Sequence, residues 1–171
     1  MNLLINDNPL LLWRDTIKDA EERCSVTLKQ ELETYLISLL DHYSNQPELT
    51  KQLFAQNFLR ANQNSDAGRM HSLRVVGDQC LLYAGLFPDS AKRKLVRVSY
   101  FVNLGRSAYH MISCKTNDLF GNLAFDFVIL MDVLQSIRTS DYLLPIDAYE
   151  QWQELGSKRA LHFLRQYTRC L

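Results

Sequence analysis

Recognisable catalytic and cofactor motifs are scarce in this chain. The run GLFPDSAKRK, Gly85 to Lys94, has one glycine and no G-K-[ST], which excludes a phosphate-cradling loop. No serine sits in a G-x-S-x-G context, so a nucleophile elbow is excluded as well. Cys24, Cys80, Cys114 and Cys170 are far apart and form no C-x-x-C pair, which removes zinc-ribbon and dithiol redox sites. They read as buried free thiols, with Cys170, next to the end, as the most exposed. His42, His71, His110 and His162 are isolated, without the second His or Glu that helical di-metal sites use. The expectation is therefore no metal and no cofactor.

Long apolar runs are missing too. No stretch approaches the ~20 apolar residues that a membrane span needs. The opening segment MNLLINDNPLLLWRD has no basic n-region and no small-residue cleavage site. These features lead to the expectation of a cytoplasmic protein that does not engage a membrane.

What is present is a chain of 171 residues, 47% hydrophobic and 22% charged, with a net charge of zero. One domain spanning residues 1–171 accommodates that length, and such a domain buries roughly 70% of its unfolded surface. The charges are segregated. Residues 1–50 carry 4 basic and 9 acidic side chains, and residues 51–115 carry 10 and 3. Residues 116–154 carry 1 and 7, and residues 155–171 carry 4 and 0. Either the acidic segments fold against the basic ones, or a basic surface meets an acidic partner or a polyanion.

Periodicity and caps predict an all-α fold of about eight helices. Asn8-Pro9 starts the first helix. Thr27-x-x-Gln30 has the form of a capping box before an amphipathic helix with Leu32, Tyr35, Leu36, Leu39 and Leu40 on one face. Pro47 starts a third helix, and a fourth begins near Arg69. Gly85, Leu86 and Pro88 read as the stop of that fourth helix, with Gly85 in the left-handed position after its last turn. Ser99 caps a helix whose small residues Gly105 and Ala108 match Gly77 and Ala84 on the preceding one, which predicts close packing of the two. A long apolar helix opens at Asn117 and runs to about Arg138, with Asp118, Asp126 and Asp132 on one stripe. Pro145 starts a short helix carrying Tyr149 and Trp152, Gly156 stops it, and Ser157 caps the last.

Two constellations remain. The basic segment Lys92, Arg93, Lys94 and Arg97, with Arg106 and Tyr109, mixes cations with aromatics as interaction surfaces do. The carboxylates Asp118, Asp126 and Asp132 would raise one another's pKa unless cations meet them. They read as an ion-pair stripe or a pocket, and specify no reaction.

Several blocks resemble a group of mid-sized, all-helical bacterial proteins. They are LETYLISLLDHYS (Leu32 to Ser44), VGDQCLLYAGLFPDSAKRKLVRVSYFVNLGRSAY (Val76 to Tyr109), LAFDFVILMDVLQSIR (Leu123 to Arg138) and YEQWQELGSKRALHFLR (Tyr149 to Arg165). The resemblance implies a stand-alone domain in the bacterial cytoplasm. It brings no activity, substrate or catalytic residue.

The reading that follows is a non-enzymatic helical protein that binds a macromolecular partner, another protein or a second copy of itself, through the basic segment. Two alternatives stay open: a small-molecule-binding or enzymatic helical domain with a pocket between helices, and an RNA- or DNA-binding regulator using the same basic residues.

Overall fold

Asn8 and Pro9 start the first helix as their chemistry requires. The Asn8 Oδ1 accepts from the Leu10 amide at 3.2 Å, and Pro9, which has no N–H, occupies the first turn. In the computed structural model, residues 8–45, 66–89, 96–113, 118–138 and 143–169 are described. Among them the elements are α1 (Pro9–Cys24), α2 (Gln30–Asn45), α3 (Asp66–Leu86), α4 (Val98–Ile112), α5 (Leu119–Phe125), α6 (Phe127–Ile137), α7 (Pro145–Leu155) and α8 (Lys158–Arg169). The described residues form these eight helices and no strand, the all-α helical fold the periodicity predicts. The expected helix after Pro47 lies outside the described residues, as do Cys114 and Cys170.

The core is organised around α6. Phe127, Leu130, Met131, Val133 and Leu134 are fully buried, and α6 packs against α1 and α3. α4 packs along α3 and also meets Phe127 of α6, and α5 joins α4 to α6. The close approach of α3 and α4 expected from their small residues is present. A Cβ on Gly105 would lie 2.5 Å from Phe127 and 2.8 Å from Cys80, inside any real contact.

Four expectations need correction. Gly85 is not a left-handed stop: α3 runs through it to Leu86, and among the described glycines only Gly156 has positive φ. Gly85 is there because α6 needs the space, since an added Cβ would overlap the Leu134 side chain. The stop falls at Pro88, which has no N–H to give the Ala84 carbonyl, and Arg138 Nη1 answers the freed Leu86 carbonyl at 3.1 Å. Second, the long apolar helix is two helices, α5 and α6, bent by 71° at Asp126. Third, the capping box is not formed at Thr27, because α2 begins at Gln30. Fourth, Ser99 is not a cap: α4 starts at Val98 with Arg97 at its N-cap, and the Ser99 hydroxyl bonds Glu154 instead. Among the described residues no single helix is long and apolar enough to cross a membrane.

Other signals are realised in place. Gly156, at φ 69°, ends α7, and its amide donates to the Trp152 carbonyl at 2.9 Å. Ser157 Oγ accepts from the Ala160 amide at 3.1 Å, as a cap for α8 should. Cys24 and Cys80 are free thiols, and burial pushes both above the ordinary thiol range.

Candidate functional site

Four helix ends meet beside α7, and the meeting is built from polar side chains that tie one element to the next. Asp132 on α6 is 2% exposed, yet it is fully answered. Its Oδ1 accepts from Ser157 Oγ at 2.6 Å, and its Oδ2 accepts from the amides of Lys158 and Arg159 at 3.1 and 3.3 Å. A carboxylate on one helix therefore caps the positive end of another, α8. Burial still pushes the Asp132 carboxyl above its usual range, with the Ser157 bond working against it. That anchor places Arg159 so that its Nη1 donates to Gln135 Oε1 at 3.0 Å, while Gln135 Nε2 donates to the Ala84 carbonyl at 2.9 Å. One glutamine thus joins α6, α8 and the last turn of α3.

The opposite wall is α7 and the start of α4. Arg97 Nη1 meets Glu154 Oε1 at 2.5 Å. The Ser99 hydroxyl bonds the same carboxylate, and these two contacts, Ser99 first, hold Glu154 below its ordinary pKa. On α7, Asp147, Glu150, Gln151 and Glu154 stand at i, i+3, i+4 and i+7, so they share one face. That face looks into a cavity of about 300 Å³, whose apolar lining includes Val96, Val98, Leu143 and Leu155. The other face of α7 carries Ile146, Tyr149 and Trp152, which are 61%, 45% and 40% exposed. A helix whose aromatics face out and whose glutamine faces in inverts the usual arrangement.

Most polar groups in the cavity wall are paired. Arg97 has Glu154, Arg159 has Gln135, and Arg138 has the Leu86 carbonyl, with Asp89 3.9 Å away. Two groups differ. Gln151 is 6% exposed, and its Oε1 is buried with no hydrogen-bond donor. Glu150 makes no ion pair among the described residues. A buried, unpaired acceptor costs about 1–3 kcal/mol, so its presence in a cavity wall calls for a reason.

The protein matches no family model, no curated protein and no solved structure with which it was compared. What the site does must be read from its own geometry.

The described residues among those singled out in the sequence do not assemble. Lys92, Arg93 and Lys94 lie outside the described residues. Arg97 reaches the cavity wall. Arg106 lies elsewhere on α4 and donates through Nε to the Ala124 carbonyl at 3.2 Å, at the end of α5. Tyr109 is a correction: it is 0% exposed and cannot belong to a binding surface. The sequence puts Tyr109 beside His110 on the exposed side of α4, but the ring turns in to fill the space that Gly77 leaves. The stripe of three carboxylates is also dissolved, because the bend at Asp126 breaks its register. Asp118 caps α5, accepting from the Gly121 amide at 2.6 Å and from Ser113 Oγ at 2.8 Å. Asp126 lies 3.7 Å from Lys29, and Asp132 holds α8. Each carboxylate has a structural duty.

A second polar cluster escaped the sequence reading. Asp78 Oδ1 accepts from the hydroxyls of Tyr35 at 2.6 Å and Tyr109 at 2.7 Å, and Arg74 Nε donates to Tyr35 at 3.2 Å. Burial raises the pKa of Asp78 and of both tyrosines. The only signal for it was an acid next to Gly77 in a helix that is otherwise apolar there. None of these residues lines the cavity, and both tyrosine hydroxyls are answered by Asp78. It joins α2, α3 and α4 and is structural.

Proposed function

We propose that this protein binds a small molecule, in the cavity walled by α7, the start of α4 and the ends of α3 and α6. The observation that carries the reading is Gln151. It is a nearly fully buried amide in a cavity wall whose oxygen accepts nothing, while its neighbour Gln135 is completely satisfied. Ligand sites combine apolar walls with a few convergent polar groups, and about 300 Å³ is at the small end of their range. The fixed surroundings fit that purpose. Asp132, Gln135 and Arg138 each bind the end of a second helix, so the walls are held without a ligand.

The basic-surface reading has less behind it. Of its six residues, Tyr109 is in the core, Arg106 is bonded to Ala124, and Arg97 is paired with Glu154.

A ligand-observed NMR screen with a fragment set balanced between cations, anions and neutral molecules tests the proposal. Fragments should bind the native protein and lose binding in Val96→Trp, which fills the cavity from a residue outside any helix. Circular dichroism verifies that the variant is folded. Should it misfold, backbone amide shifts of the native protein supply the same answer, with perturbations expected at Ser99, Glu150 and Gln151. Failure of every fragment to bind, or binding that survives the filled cavity, refutes the reading.

A further inference from the structure

The charges around the cavity point to a ligand of one sign. Its described lining holds three arginines, Arg97, Arg138 and Arg159, against four carboxylates. Every arginine is committed to a partner in the protein, and two of the carboxylates, Glu154 and Asp89, are those partners. Among the described lining residues no cation is left to receive an anionic ligand without breaking a contact that holds the walls.

The acceptors are in the opposite position. Glu150 stands between Asp147 and Glu154 at spacings of three and four residues, on a helix that carries no basic residue. Like charges at those spacings repel. Among the described residues Glu150 has no cation of its own, and next to it in the chain Gln151 offers a buried oxygen without a donor. A carboxylate and an amide oxygen lining one cavity with apolar walls form a receptor for N–H donors that carry positive charge.

Resting on the cavity being a ligand site, the geometry points to a small organic cation: an ammonium or guanidinium group set on Glu150 and Gln151, with an apolar body against Val98 and Leu155. Discrimination comes from the unpaired acceptors. A neutral isostere leaves Glu150 unneutralised, and an anion meets the acidic face of α7.

Isothermal titration calorimetry with isosteric probes on the full chain decides the matter. The cations are phenethylamine and n-hexylamine, the neutral analogues 2-phenylethanol and n-hexanol, and the anions phenylacetate and hexanoate. The cations should bind at least tenfold more tightly than either counterpart, and more weakly as salt rises. Glu150→Gln should lower cation affinity about tenfold and leave the alcohols unchanged. Gln151→Met should weaken the cations as well. Equal or tighter binding of the anions, or cation affinity indifferent to Glu150→Gln, overturns the charge preference. If the alcohols or anions bind and are lost in Val96→Trp, the cavity stands as a ligand site and only this inference falls. If no probe of any charge binds, the inference falls and the fragment screen decides whether the cavity reading falls with it.

Discussion

Two glutamines in one cavity wall differ in a way that stability measurements resolve. Gln135 donates to the Ala84 carbonyl and accepts from Arg159, whereas Gln151 holds a buried oxygen that accepts nothing. Methionine replaces either one with little change in shape or helix propensity. In Gln135→Met the Ala84 carbonyl and the Arg159 guanidinium each lose a partner. Leaving a buried polar group unpaired costs about 1–3 kcal/mol, so a loss of about 2 kcal/mol follows. In Gln151→Met the unpaired group is removed instead, and a gain of about 1 kcal/mol follows. For a chain of this length each kcal/mol moves Tm by about 2–4 °C, so the two variants should move it in opposite directions. Urea titrations are the assay, with unchanged m-values required for the comparison. A loss of 1 kcal/mol or more in Gln151→Met would mean that its amide oxygen is satisfied in the free protein. The main reason for regarding the cavity as a ligand site would then be gone. The expected pattern, higher stability with weaker binding, is the trade seen where a site keeps polar groups that folding alone would discard.

Three further outcomes follow from the packing and electrostatics. Gly105→Ala should destabilise by about 1–3 kcal/mol despite its better helix propensity, because Phe127 and Cys80 occupy the space, and a higher midpoint in urea would refute that packing. Asp132→Ala should cost about 3 kcal/mol, since it leaves the Ser157 hydroxyl and two α8 amides without their acceptor, and hydrogen exchange should speed first in the opening turn of α8. Asp78 has a raised pKa in the folded state, so its contribution is fully present below the unfolded value of about 3.9 and is lost as pH rises through the folded value. Asp78→Asn can still accept from both tyrosines, so its stability relative to the native protein should rise with pH across that window, and a difference that falls with pH would contradict the sign.

What was legible in the sequence was local. Asn8-Pro9, Pro145, Gly156 and Ser157 act within a turn of their own position, and each does what its chemistry predicts. The matched small residues of α3 and α4 also foretold a close contact, because a missing side chain has one geometric consequence. Gly85 shows where such reasoning fails. Its neighbours satisfy a helix-stop pattern, but the glycine is fixed by Leu134, forty-nine residues away, and of that pattern only Pro88 acts as the stop. The bend at Asp126 escaped periodicity for a similar reason, since both halves of the segment are apolar on nearly every side. The cavity was least legible, because its walls come from five separate segments. Its one readable trace was the polar face of Asp147, Glu150, Gln151 and Glu154. Tyr149 and Trp152 on the other side of α7 drew the apolar assignment away from it.

The central claim is that the cavity beside α7 takes a ligand. Backbone amide shift mapping with the tightest fragment tests it most directly, because it reports the place of binding and not only its occurrence. The account predicts perturbations at Ser99, Gln135, Glu150, Gln151 and Arg159. Shifts confined to the Asp78 cluster, to the exposed aromatics of α7, or to Lys92, Arg93 and Lys94 would contradict it.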